Sequence, residues 1–164
     1  MSALLQPGEP RIEVMMPAHL DAVMAIEVTA YAHPWTHGNF ADSLRAGYTG
    51  RLLVVDDAIL GYYVAMKGVD EVHLLNITVA REHQGRGWGA RLLAHLAEGS
   101  RAQGAQWLWL EVRASNDGAQ RLYQREGFRR VGLRKGYYPA AQGRREDAIV
   151  MSRPLGPAAA TMRP

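Results

Sequence analysis

Six consecutive residues near the middle of the chain, Gln84-Gly85-Arg86-Gly87-Trp88-Gly89, join a run of β-type residues at 72–79 to a helical stretch at 90–103. Glycine at three alternate positions lets the main chain turn and come close to another group with no Cβ in the way. The N–H groups that open the following helix lack intrahelical partners and lie at the positive end of its macrodipole. A junction of this kind is suited to holding a phosphate or pyrophosphate. The segment therefore predicts a phosphorylated cofactor and leaves open which one.

The remaining composition narrows the chemistry. A chain of 164 residues suits one domain with a substantial core and no need of disulfides. It has no cysteine, which excludes disulfides, thiolate catalysis and cysteine metal sites. No apolar stretch approaches the ~20 residues of a membrane span, and residues 1–10 lack the basic start and apolar core of a signal peptide. A soluble, cytoplasmic protein without a membrane partner is expected. The formal charge of +3 is carried mostly by arginine, the lysines being Lys67 and Lys135. No polybasic run or alternation of aromatic and basic residues argues for direct reading of nucleic acid. The six histidines, His19, His33, His37, His73, His83 and His95, show no metal-ligand spacing on a common face, so no metal is expected.

Hydrophobic periodicity gives the order of elements. Residues 11–15 alternate as a strand. Pro17 opens a helix with Leu20, Val23, Met24 and Val28 on one stripe and Glu27 beside it. A shorter helix is predicted at 39–46, then strands at 51–55 and 60–66 joined by Asp56-Asp57-Ala58, and a strand at 71–79. After the helix that follows the glycine turn, Gly104 serves as C-cap. Residues 106–113, with Trp107, Leu108, Trp109, Leu110 and Val112, read as a strand covered on both faces. Asn116 or Ser115 caps a helix with Ala119, Leu122 and Tyr123 inward, and strands at 128–138 and 146–151 complete the set. That order predicts an α/β (α+β) domain on a mixed sheet over residues 11–153, between disordered tails at 1–10 and 154–164.

Two readings of the turn compete. Gly85-x-Gly87-x-x-Ala90, with Glu111 about 20 residues on, fits the loose dinucleotide fingerprint. Against it, residues 80–84 separate the strand from the first glycine, the chain ends as a hairpin rather than as further βα repeats, and Glu111 is internal to its strand. The other reading is acyl-CoA binding. Gln84-x-x-Gly87-x-Gly89 resembles the Gln/Arg-x-x-Gly-x-Gly/Ala segment of the GCN-five-related N-acetyltransferases. Leu110-Glu111-Val112-Arg113-Ala114-Ser115-Asn116, Ala119, Leu122-Tyr123, Gly127-Phe128, Tyr137-Tyr138-Pro139 and Glu146-Asp147-Ala148 resemble the RimI type within that superfamily, as do Pro34-Trp35 and Leu75-Asn76-Ile77.

The resemblance spans residues 12–151 in order, and it implies a mixed sheet of about seven strands with helices on both faces and splayed central strands. It also implies acetyl-CoA as cosubstrate and the N-terminal alanine of a ribosomal protein as acceptor. Gln84, Gly85, Arg86, Gly87, Trp88, Gly89 and Ala90 would then hold the pyrophosphate, with Arg86 or Arg91 adding charge. Ile77, Thr78 and Val79 would pair with the pantetheine arm, and a backbone N–H near Ile77 would polarise the thioester. Asn116 would cap its helix and contact the cofactor.

Glu111 is the candidate general base, a carboxylate in a strand otherwise built of Trp, Leu and Val. Burial raises a carboxylate's pKa toward the range a base needs. A structural ion pair with Arg113 on the same face is the competing role. Tyr123, two turns after Asn116, is the candidate acid for the departing thiolate, or else core packing. Tyr31, Pro34, Trp35, Tyr137 and Tyr138 are candidates for a peptide groove, with Glu146 or Asp147 attracting a basic segment. A monomer acting by direct transfer is expected. An acetyltransferase for another amine and a non-catalytic CoA-binding or ribosome-interaction module remain as alternatives.

Overall fold

The computed structural model describes residues 8–156. The parts of the two expected tails at 1–7 and 157–164 lie outside the described residues. Seven strands are formed: β1 (Arg11–Val14), β2 (Thr49–Val55), β3 (Ala58–Lys67), β4 (Glu71–Val79), β5 (Trp107–Arg113), β6 (Arg129–Pro139) and β7 (Arg145–Pro154). Four α-helices accompany them: α1 (Leu20–Ala30), α2 (His37–Arg45), α3 (Trp88–Ala102) and α4 (Asp117–Arg125). The strands form one mixed sheet in the order β1-β2-β3-β4-β5-β7-β6. β4 and β5 are parallel, whereas β5 pairs with β7 and β7 with β6 antiparallel.

The chain divides into two compact units. One comprises the residues up to Val64 together with Asn76–Gly89; the other comprises Ala65–Leu75 and the residues from Ala90 onward.

In the first unit, Pro17 opens a single 3-10 turn that leads into α1. Thr36 starts α2 earlier than residue 39, because its hydroxyl accepts from Asn39 N at 3.0 Å while Asn39 Oδ1 accepts from Thr36 N at 2.9 Å. Asp56 and Asp57 turn the β2–β3 hairpin with φ of 50° and 64°. Two positive φ values in a two-residue connection match the right-handed twist of the flanking strands. Phe40 is sealed from solvent, with its ring 5.0 Å from Trp35 and 5.8 Å from Tyr62.

The stripe expected on α1 is only half formed. Leu20 and Val23 are buried, but Val28 is 52% exposed and Glu27, assigned beside the stripe, is 1% exposed. The inversion has a polar cause. Glu27 Oε1 accepts from Tyr62 Oη at 2.7 Å and from Asn76 Nδ2 at 3.3 Å, and Oε2 accepts from the Trp35 main-chain N–H at 2.9 Å. A carboxylate met by this many donors can be buried in place of a hydrophobe. Burial, reinforced by the neighbouring Glu27 charge, holds the Tyr62 hydroxyl well above its ordinary pKa, so it remains a donor.

In the second unit, β5 alternates. Leu108, Leu110 and Val112 are buried, whereas Trp107 is 45% exposed and Trp109, Glu111 and Arg113 keep part of their surface. The strand is thus sealed on one face, and the expected cover on both is not found. β7 also runs further than predicted. Pro154 pairs with Trp107, and Leu155 is buried with its N–H bonded to Gln106 O and its carbonyl accepting from Arg101 Nε. The folded part therefore passes the boundary drawn at residue 153. Register shifts between Arg130 and Gly132 and between Arg134 and Tyr138 bend β6 against β7.

Removing the Glu27 carboxylate takes away the acceptor of the buried Tyr62 hydroxyl and of the partly buried Trp35 N–H. Glu27→Ala should lower the unfolding free energy by about 3 kcal/mol, measured by urea denaturation followed by circular dichroism. A loss below about 1 kcal/mol would mean those donors find other acceptors.

Candidate active site

The glycine turn takes the shape its sequence requires at two of its three glycines. Gly85 and Gly87 have φ of +78° and +87°, and a Cβ at either would meet no atom within 4 Å. Glycine is needed there for the backbone angle, which an L side chain rarely adopts, and the space in front of both is open. Gly89, expected to turn in the same way, instead lies in the first turn of α3, with Trp88 before it and Ala90 after it. Arg86 and Arg91 are exposed. Gln84 is engaged within the chain. Its side chain donates to Val79 O at 2.9 Å and its N–H to Arg81 O at 3.3 Å, which fixes the approach to the turn.

Tyr31 is tied to the end of β4. Its Oη donates to Ile77 O at 2.9 Å and lies 2.7 Å from Thr78 Oγ1, which in turn donates to Asn76 Oδ1 at 2.7 Å. Burial pushes the Tyr31 hydroxyl up to about 12. Ile77 O and Val79 O, two of the carbonyls expected to face the cofactor, thus each accept a side-chain hydrogen bond. Trp35 is joined through its N–H to Glu27, and Pro34 beside it is half-buried. Glu27, which sequence reasoning passes over, therefore holds the Trp35 backbone and, through Asn76 and Thr78, borders Tyr31.

The register of β4 with β5 runs through four pairs, from Glu71 with Trp107 to Leu74 with Leu110. Glu111 is the next residue along β5, and its other edge pairs with Val150 of β7. Its side chain is 6% exposed. Oε1 lies 2.6 Å from His73 Nε2, whereas Oε2 is buried without a hydrogen bond and has Arg134 Nε at 3.5 Å. The expected competitor, Arg113, goes elsewhere: its guanidinium bonds Glu146 Oε1 at 3.0 Å and Pro139 O at 2.9 Å and covers the Tyr138 ring at 4.6 Å. The pair Glu111–Arg113 is not made.

His73 is the residue that sequence reasoning misses, counting it only among the scattered histidines. Its ring stacks on Trp109, 3.6 Å between centroids and 8° from parallel. The available signal is its place in a short strand ahead of the glycine turn, but only the interstrand register reveals which residues it faces.

Other expected residues are distributed as follows. Asn116 caps α4, its Oδ1 accepting from Ala119 N at 3.1 Å. Tyr123 is 8% exposed, with its ring edge-on to Phe128 at 5.8 Å. Tyr137 and Tyr138 meet edge-on at 4.9 Å, and Arg134 lies over Tyr137 at 5.3 Å. Burial, and then the charge of Glu111, raises the hydroxyl pKa of both tyrosines. Glu146 and Asp147, expected to attract a basic segment, are engaged within the chain. Glu146 accepts from Ser115 N and from Arg113, which lowers its pKa, and Asp147 accepts from Gly136 N at 2.9 Å. Among the described residues no group of three or more His, Asp or Glu is placed to hold a metal ion, and no helix is long and apolar enough to cross a membrane.

Comparisons with known proteins identify the family. The model of the acetyltransferase (GNAT) family matches residues 20–128. The [ribosomal protein bS18]-alanine N-acetyltransferase of Salmonella typhimurium is 39% identical over 144 residues, covering 88% of this chain and 97% of that enzyme. The enzyme of the same name from Escherichia coli K12 is 38% identical over 136 residues, 83% of this chain and 91% of its own. The crystal structure of the Escherichia coli ribosomal-protein-S18-alanine N-acetyltransferase superposes with a TM-score of 0.84 at 36% identity, covering 90% of this chain and 95% of that one. This chain belongs to the GNAT family of acetyltransferases, and it is an N-acetyltransferase.

Proposed function

We propose that this enzyme acetylates the N-terminal alanine of ribosomal protein bS18, in the cytoplasm. The observation that carries the reading is the likeness to the Salmonella enzyme across nearly its whole length.

In this reading, the N–H groups of Gly85 to Ala90 bind the pyrophosphate, with Arg86 or Arg91 adding charge. Gln84 sets the turn. The backbone of Ile77, Thr78 and Val79 binds the pantetheine amides, and Asn116 contacts the cofactor while capping α4. Glu111 accepts a proton from the substrate ammonium, directly or through a water, using Oε2, the oxygen without a hydrogen bond. The amine nitrogen then bonds to the acetyl carbon as the carbon–sulfur bond breaks, Tyr123 gives its phenolic proton to the departing thiolate, and the proton the nitrogen sheds as the amide forms passes through solvent to restore the phenol. Transfer is direct, since the chain has no cysteine to carry an acetyl group. Tyr31, Trp35, Tyr137 and Tyr138 contact the substrate peptide.

Mass spectrometry of a bS18 N-terminal peptide incubated with enzyme and acetyl-CoA should find one acetyl group on the α-amine of alanine. Turnover of lysine or small-molecule amines, with the peptide untouched, would defeat the substrate assignment.

Glu111→Gln and Tyr123→Phe should each lower kcat by ~10²-fold or more, with the acetyl-CoA Kd from calorimetry nearly unchanged. Wild-type turnover by both would remove their assigned roles.

Gly87→Ala should act in the opposite sense. It strains a backbone that needs positive φ and should weaken acetyl-CoA binding by about tenfold or more. An unchanged Kd would exclude this turn from cofactor binding.

A further inference from the structure

We propose that His73 is a positioning residue for Glu111, holding one carboxylate oxygen so that the other is presented to the substrate amine. The proposal rests on Glu111 being the base.

The geometry starts from the strand register. His73 on β4 is paired with Trp109 on β5, and Glu111 is two residues further along β5, on the same face as Trp109. The imidazole is therefore bounded on two sides. Trp109 covers its face in a nearly parallel stack at 3.6 Å, and Glu111 meets its edge at 2.6 Å. Both partners of the contact are withdrawn from solvent, the His73 side chain at 11% exposure and Glu111 at 6%. An ionised carboxylate only accepts, so the hydrogen in this contact is carried by His73 Nε2. A donor facing an ionised acceptor makes a short, strong hydrogen bond.

A glutamate needs such a contact to act as a base here. The torsion that turns its carboxylate is broad and roughly two-fold, so packing alone leaves the oxygens poorly aimed. A fixed donor on Oε1 chooses one orientation, and the stacked indole keeps that donor from rotating away. Oε2 is left buried and without a hydrogen bond. Arg134 faces it at 3.5 Å from a side chain that is 49% exposed, beyond hydrogen-bond range and able to swing into solvent. The Arg134 guanidinium also lies over Tyr137 at 5.3 Å and by Trp109 at 6.0 Å. The carboxylate thus has one oxygen held firmly by His73 and one held loosely by a displaceable cation. A positioned base lowers the barrier without adding affinity, so its loss should appear in kcat rather than in KM.

Two variants of the full chain separate positioning from bulk. The side-chain amide introduced by His73→Gln reaches about as far as imidazole Nε2 and keeps an N–H donor; His73→Leu fills similar space with none. His73→Leu should lower kcat for the alanine peptide about tenfold or more, while KM and the acetyl-CoA Kd stay within about twofold. His73→Gln should recover most of that loss. Because the two residues act as a unit, adding His73→Leu to Glu111→Gln should slow the enzyme no further. The inference is overturned if His73→Leu turns over like wild type, if His73→Leu and His73→Gln are equally slow, or if the double variant shows the product of the two losses. Glu111→Gln tells the two failures apart. Full activity there removes the base and this inference with it, whereas a slow Glu111→Gln beside a fully active His73→Leu removes the positioning role alone.

Discussion

Burying a carboxylate in this chain requires donors for its lone pairs, since an unpaired charge inside a protein costs far more than the packing it gains. Among the described residues, the side chains of two acids are buried, and β4 supplies a partner to each. Asn76 donates to Glu27, and His73 faces Glu111. The two positions are three apart, so their side chains leave opposite faces of the strand. The acids differ in how completely they are satisfied. Glu27 has three donors over its two oxygens, the pattern of a structural group. Glu111 has one oxygen bonded and one without a hydrogen bond, facing Arg134 at 3.5 Å, the pattern the proposed base would need.

The difference also organises β5. A strand with Leu108, Leu110 and Val112 inward and Trp109, Glu111 and Arg113 on the other face has one side made for packing and one for chemistry. The second side is not polar by default. Trp109 stacks on His73, and Arg113 is held by Glu146 and the Pro139 carbonyl, so the groups around Glu111 are fixed by contacts of their own. Glu146 is therefore better understood as the residue that keeps Arg113 away from Glu111 than as a free surface acid.

Most of the fold was legible because it rests on local signals. The Asp56-Asp57 hairpin, the β4 bounds, the Asn116 cap and the glycine turn each depend on a few neighbouring residues. Failures arose where distant residues decide. Glu27 looked like the flank of an apolar stripe because Tyr62 and Asn76, its donors, are far along the chain. His73 looked incidental because the register of β4 against β5 is not written in either strand. Gly89 satisfied the spacing of the turn yet entered the helix, since two residues with positive φ already completed the reversal. The candidate base itself was visible, being a carboxylate in an apolar strand. Its competing role, an ion pair with Arg113, is not made, because Glu146 of β7 takes the same guanidinium.

A single half-satisfied carboxylate also bears on the choice of acceptor. A protein N-terminal amine has a reference pKa near ~8 and a lysine amine near ~10.4. At about pH 7.5, deprotonating the first costs about 0.7 kcal/mol and the second about 4 kcal/mol, at about 1.36 kcal/mol per pH unit. A site with one carboxylate oxygen to offer, and with Arg134 rather than a second acid facing it, has little to set against the larger sum. Lysine would ask for a stronger base or a second carboxylate to stabilise its ammonium before transfer. The α-amine asks only that one proton be accepted by the proposed base. With Glu111 as the proposed base, the electrostatics around it favour an N-terminal amine over a lysine.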